Sequence, residues 1–299
     1  MTDHTIGIAP ENIYYVGKDR AHKSITKLFL ELKDDDREKV IFLDPGEYDI
    51  FQEYRDVDMP TPPDDVKAHI YFEYNAFLPL NTKLIGLGDV LLKFSPEADQ
   101  ITYGESRTWA PLNIEGACHI ENIGIYCKNG RYCIHDDSHN NYQDTRHYYK
   151  NVRCVYEWGD TNAADQRLGF NNTIGNGMAQ GTEFLFEDCT FEFRGENRPA
   201  FYTHESGKEN PQHVPTLTFR NCSFIAPVDN PRTIKLQNLA AADVRVVTRF
   251  ENCNIMGGIF LELYKDRCPQ HYDVTFVNSG NPPQLIDKPE ENRYPIKVL

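Results

Sequence analysis

The stretch FEDCTFEF, residues 186–193, decides how this chain folds, because its opening returns as FRNCSF from Phe219 and as FENCNI from Phe250. Looser copies stand upstream, IENIGI from Ile120 and YKNVRC from Tyr149, so the steps are 29, 37, 33 and 31 residues. One phase is kept throughout. Asn122, Asn151, Asp188, Asn221 and Asn252 share one position, and Cys189, Cys222 and Cys253 share the next. Repetition at such a period marks an array of like units. Apolar residues alternate at spacing two on either side of the Asn or Asp, which is a strand pattern. Asn and Asp tolerate the left-handed backbone region and bond to nearby main chain, so each copy reads as strand, corner, strand. Further short apolar runs lie between the copies: RYCIHD (131–136), PAFYTHE (199–205), RTIKLQNL (232–239) and GIFLELYK (258–265). Two or three strands per turn of about 30 residues predict an all-β fold, a right-handed single-stranded parallel β-helix. Equivalent residues would then stack about 4.7–4.9 Å apart, coil over coil. The repeated cysteines become an inward column of small buried hydrophobes.

Upstream the repeat is degenerate. VIFLDPGEYDIF (40–51) and TKLIGLGDVLLKF (82–94) read as strand pairs with Gly at the bends, and EYRDVDMPTPPDDVK (53–67) as an ejected loop. Ile25, Leu28, Phe29 and Leu32 fall at helical spacing behind Ser24, a suitable N-cap. A solenoid must cover its open ends. The chain is therefore expected to be one β-helix domain over 1–299, with an N-terminal cap 1–38 holding a helix at 24–34, coils over 39–280 and a capping tail over 281–299.

The 299 residues carry 40% hydrophobic residues and a net charge of −14, enough for a core and opposed to nucleic-acid or anionic-lipid binding. No apolar run reaches the roughly 20 residues of a membrane span. MTDHTIGIAPENIYYVGK has no basic or apolar leader region, so synthesis and folding in a cytoplasm without a signal peptide are expected. Eight cysteines are too sparse for a disulfide scaffold and are expected as free thiols.

Through VIFLDPGEYDI, LIGLGDVLLKF and the aromatic-x-Asn/Asp-Cys phrases, the chain resembles the pectin-lyase-like right-handed parallel β-helix superfamily over roughly residues 13–280. The order of SITKLFLEL (24–32), PGEYDIF (45–51), CIHDD (133–137) and IGNGMAQG (174–181) is similar to tail-associated β-helix proteins of Gram-positive phages and prophages. That resemblance implies a virion protein, assembled in the bacterial cytoplasm with other tail proteins and commonly trimeric. It would bind, and in enzymatic members cleave, a host cell-surface polysaccharide. Such phrases are specific for fold and weak for activity. A catalytically inert decoration protein and a bacterial polysaccharide hydrolase or lyase are the alternatives.

In a β-helix the outward residues of one stacked strand form a groove along the axis. His135 precedes Asn151 by 16 residues and His204 precedes Asn221 by 17, so His135-Asp136 and His204-Glu205 are expected at equivalent positions, two coils apart. Asp136 and Glu205 would then lie roughly 10 Å apart, just beyond the roughly 6.5–9.5 Å of inverting glycosidases. These four are the candidate catalytic residues of a glycoside hydrolase. A polar row on a solvated strand is the plain alternative. Asn172 and Asn176 in a Gly-rich stretch, Lys235, Gln237, Glu262, Tyr264 and Trp158 are candidate substrate-binding residues, and Lys235 could serve as the cationic base of a lyase, the weaker enzymatic option. The tyrosines of NNYQDTRHYYK (140–150), with Trp109 and Trp158, are expected in loops or turns beside the groove, where they could stack on sugar rings or serve as ordinary packing of a long loop. Cys127, Cys133, His135 and His139 have the wrong spacing for a zinc knuckle, so no metal and no cofactor are expected.

Overall fold

The computed structural model describes residues 5, 7–64, 73–137, 145–159, 171–178, 182–195, 198–206, 216–227, 233–238, 246–256, 259–263, 272–279 and 296–298. At 137, 178, 204–206, 237–238, 246, 259–263, 272–273 and 296–298 it describes the backbone alone. Its strands form a parallel β-helix. The first face stacks Ile13–Val16, Lys39–Leu43, Thr82–Gly86, the first halves of Cys118–Lys128 and Arg146–Glu157, then Glu183–Glu187, Thr216–Arg220, Val246–Glu251, Tyr272–Val277 and Ile296–Val298. Past a corner, the second face stacks Gly46–Asp49, Val90–Phe94, the second halves of those two long strands, Thr190–Arg194, Ser223–Ile225 and Asn254–Ile255. A separate six-stranded sheet closes the coil: Leu112–Ile114, Tyr132–Asp137, Asn172–Met178, Phe201–Ser206, Ile234–Asn238 and Ile259–Leu263. Parallel crossovers in one sheet are right-handed in about 98% of cases, which gives the winding its hand.

The register is the one the repeat predicts. Ile120, Tyr149, Phe186, Phe219, Phe250 and Phe276 are direct partners from rung to rung, and the column extends back through Leu84 and Ile41 to Tyr14. From Tyr149 to Phe276 the rings stack face to face with centroids 4.7–5.1 Å apart. At the corner, Asn122, Asn151, Asp188, Asn221, Asn252 and Asn278 all have φ between 49° and 59°, the region these two residue types tolerate best among non-glycines. Their side chains form a ladder: Asn151 donates to Asn122 (2.9 Å), Asn221 to Asp188 (3.0 Å) and Asn252 to Asn221 (3.3 Å).

One residue on, each buried thiol donates to the carbonyl of the aromatic residue one rung earlier: Cys189 to Tyr149, Cys222 to Phe186 and Cys253 to Phe219, at 3.5–3.6 Å. Ser279 takes the same slot beneath Phe250 (3.1 Å). The cysteines do stack in one inward file. Burial pushes the Cys222 thiol up, and a thiol contact with Cys222, followed by burial, does so at Cys253, so neither is a nucleophile.

The caps differ in detail from expectation. Ile13–Val16 is already a rung, so helix α1 (Ile25–Glu31) is inserted after the first rung instead of preceding the coils. Ser24 caps it through Lys27 N, and Ile25, Leu28 and Phe29 enter the core. The start of the expected 53–67 loop is helical, in α2 (Ile50–Asp56), capped by Asp49. Arg55 of α2 makes two hydrogen bonds of 2.8 and 3.0 Å to the buried Glu105 of helix α3 (Tyr103–Thr108), tying the loop down. Within the expected tail, Ile296–Val298 adds a further parallel rung. One continuous core cluster runs from Val16 to Phe276.

Candidate functional site

The strands that hold the nominated residues 135–136, 172–176, 204–205, 235–237 and 262 make up the six-stranded sheet, and its register decides which of them share a face. One row is Ile114, Asp136, Asn176, Thr203, Leu236 and Leu261, and the adjacent row is Asn113, His135, Gly175, Tyr202, Lys235 and Phe260. Successive strand residues face opposite sides. From Ile114 to Leu236 the first row faces the interior: Ile114 and Leu236 belong to the core cluster, and Asp136 and Asn176 are 0% exposed. From Asn113 to Lys235 the second row faces out. His135 stacks on Tyr132 (5.4 Å, 22°), and Lys235 Nζ lies 5.0 Å from the Tyr202 ring.

Several expectations are therefore corrected. Asp136 points inward, so it lines no outward groove. His204 pairs with Gly177 and, one rung further, Asp137, not with the row of His135. Between Gly177 and Met178 the register slips, and Glu205 is the bulged residue, outside the Asp136 row. The facing carboxylate pair does not form, because the Asp136 member is inside the coil. Asn172 and Asn176 are buried as well. Asn172 Oδ1 accepts the Thr173 amide at 2.7 Å, a local turn contact. His135 and Lys235 do face out, yet they are only 2% and 5% exposed.

Trp158 is half-buried beneath the Arg198 guanidinium, 4.0 Å from its ring. Trp109 is a core residue packed on Tyr54 (5.2 Å). Gln237 and Glu262 are backbone partners on adjacent rungs. The side chains of His204, Glu205, Gln237 and Glu262, and all of Tyr264 and His139, lie outside the described residues. Cys127 and Cys133 are core thiols.

Inside the coil Asp136 meets residues that the sequence reading passed over. Its Oδ2 lies 2.9 Å from His147 Nδ1 and accepts the Tyr149 hydroxyl. The Cys118 thiol lies 3.7 Å from the same Nδ1 and 3.8 Å from Tyr149 Oη. His147 Nε2 lies 3.0 Å from Thr145 Oγ1. Arg146–Lys150 is strand, not the expected loop, and alternation turns His147 and Tyr149 inward. Burial and then the Asp136 charge push both the Cys118 thiol and the Tyr149 phenol well up. This is not a nucleophile relay. Such a relay places nucleophile and orienting acid on opposite ring nitrogens, whereas here Cys118 and Asp136 both address Nδ1, and all four residues are buried, with Cys118 the most exposed at 7%.

Among the described residues, an open concavity lies on the second face. Leu91, Gly124 and Arg153 form one outward row, and Lys93, Tyr126, Val155 and Glu192 the next. Gly124 carries no side chain between Leu91 and Arg153, and this lowers the floor. Two adjoining grooves result, of about 310 and 530 Å³, sharing Glu47, Leu91, Gly124 and Arg153. Their lining crosses five rungs, from Glu47 to Arg194, or about 19 Å along the axis at strand spacing. Lys93 pairs with Glu47 (2.9 Å), while Arg153 (2.9 Å) and Arg194 (2.6 Å) share Glu192. Burial alone would raise the Glu192 carboxyl, but hydrogen bonds from Arg194 and Arg153 outweigh it and hold it below its usual range.

No protein-family model matches this chain, and no curated protein is similar to it. Among solved structures, the pectin methylesterase from Aspergillus niger is similar in two forms. The deglycosylated form has a TM-score of 0.41 at 10% identity, over 97% of this chain and 85% of that one. The penultimately deglycosylated form has 0.40 at 10%, over 97% and 86%.

Proposed function

We propose that this chain is a tail-associated protein of a phage or prophage that binds a host cell-surface polysaccharide along the groove of the second face, without cleaving it there. The observation that supports this reading is the axis-parallel groove, open over five rungs and lined by Lys93, Arg153 and Arg194 beside the Tyr126 ring. An extended polymer matches a straight groove that repeats at each rung, and Tyr126 offers a flat apolar face to a sugar. Among the described residues each cation is held by a surface ion pair, worth about 0–1 kcal/mol. It can be surrendered at small cost to the carboxylate or phosphate of an acidic glycan, even in a chain of net charge −14.

Binding is favoured over hydrolysis in this groove because a general acid must stay protonated near neutral pH. Glu192, shared by Arg194 and Arg153, is held the other way. Assembly with other tail proteins, a homotrimeric state and location in the virion belong to the same proposal.

Retention on an array of bacterial surface glycans tests it. The wild type should bind an acidic polysaccharide with an affinity that falls as salt rises. Arg153→Glu with Arg194→Glu should abolish retention while the circular dichroism spectrum is unchanged. Undiminished binding by the double variant would remove the groove from the proposal. A chain that binds no glycan and co-purifies with virions would be an inert structural component.

A further inference from the structure

We propose that Cys118, Asp136 and His147 form a structural metal site inside the β-helix, suited to zinc, with Tyr149 held against it. The three donors come from three separate strands and lie within 4.8 Å of one another, all buried. Sulfur, imidazole nitrogen and carboxylate oxygen together are a zinc-type donor set. Bond lengths of about 2.3 Å to sulfur and about 2.0–2.1 Å to nitrogen in a tetrahedron require a sulfur–nitrogen edge of about 3.6 Å. The observed edge is 3.7 Å. The nitrogen–oxygen edge would open from the observed 2.9 Å to about 3.3 Å on the same bond lengths.

Two further observations point to a ligand. Among the described residues, Asp136 Oδ1 is buried without a hydrogen-bond partner, and so are both side-chain polar atoms of Asn176, the next residue in its inward row. Buried charges are normally paired or coordinate metals. The other ring nitrogen of His147 meets Thr145 Oγ1, the kind of outer contact that fixes a ligating imidazole. Tyr149 Oη, 3.8 Å from the thiol and bonded to Asp136, is placed to serve as fourth donor or to orient the carboxylate. Binding displaces the Cys118 thiol proton to solvent and leaves the ion's charge balanced by thiolate and carboxylate.

Because the site is enclosed, loading accompanies folding. The chain is refolded from denaturant with zinc or with cobalt(II), then passed through a chelating column. The expected result is about one metal ion retained per chain, with tetrahedral cobalt d–d bands and a thiolate-to-cobalt charge-transfer band. Cys118→Ser should lose the charge-transfer band, and Thr145→Val should weaken retention about 10–100-fold, as outer-contact variants do. If folded wild-type protein retains no ion and shows no cobalt spectrum, the proposal is overturned and the group is a hydrogen-bonded polar plug. Since this readout needs no variant, a variant that fails to fold does not shield the proposal.

Discussion

Replacing Phe219 by Ala tests the stacked column directly. Its ring is fully buried, lies 5.1 Å from Phe186 and 5.0 Å from Phe250 in stacked geometry, and meets Phe201 and Phe224 edge-on, each at 5.0 Å. Phe-to-Ala changes in cores cost about 3–5 kcal/mol, and each aromatic pair is worth about 0.5–1.5 kcal/mol beyond its area. The rungs above and below are fixed by ladder hydrogen bonds, so the cavity cannot collapse. Phe219→Ala should therefore cost about 4–5 kcal/mol, near the top of that range. Phe276 stacks only on Phe250 (5.1 Å) among the described residues, and Phe276→Ala should cost about 3 kcal/mol. Urea unfolding followed by circular dichroism measures both. A solenoid couples mainly to its neighbours, so the Phe219 variant should also develop a separate early transition while the Trp109 region stays folded. Equal costs for the two variants, or a Phe219 cost below about 1 kcal/mol, would refute the column as the main stabilising element, since it predicts the upper part of the core range.

Three other outcomes follow from single contacts. Asp188 accepts from Asn221 but, as a carboxylate, has no proton for Asn151 below it, so Asp188→Asn should complete the ladder and raise stability by about 0.5–1 kcal/mol in urea titration. At the buried Glu105, burial alone would raise the carboxyl, but hydrogen bonds from Arg55, the Thr102 amide and Thr61 outweigh it and keep it below its usual range. Its contribution is therefore present above about pH 4.5 and lost as pH falls. Arg55→Met should cost about 3–5 kcal/mol by stranding the charge, and adding Glu105→Leu should restore much of that in a double-mutant cycle. Tyr48, which donates to Val16 O and Asp44 O, is pushed up to about 12, chiefly by burial. Its share of stability is full below pH 10 and lost as pH rises through 12. Melting temperatures from pH 8 to 12 should thus fall less steeply for Tyr48→Phe.

The interior polar group changes how the thiols and histidines of this chain are understood. Cys189, Cys222 and Cys253 serve packing, and their slot accepts Ser279 without change of hydrogen-bond pattern. Cys118 has a different neighbourhood, beside Asp136, His147 and Tyr149. The sequence offered one hint of this: His147, Tyr149 and Cys118 alternate with polar residues in the same phase as core positions of neighbouring rungs. Reading 140–150 as a loop hid it.

The amino-acid sequence alone determined the repeat, its phase and the corner. Alternation at spacing two needs a strand, a left-handed corner needs Asn or Asp, and identical phrases can only stack on themselves. It could not determine which way Asp136 points. Cys133 and Ile134 are consecutive, and both enter the core, while His135 turns out and Asp136 back in. That double inward step breaks the simple parity, and the bulge at Glu205 shifts the partner strand again. Facing is set by how each strand meets its corner, and the partners of Asp136 stand on the wall of the coil opposite its own. Their meeting depends on the width of the interior, a property of the folded cross-section that no spacing along the chain records.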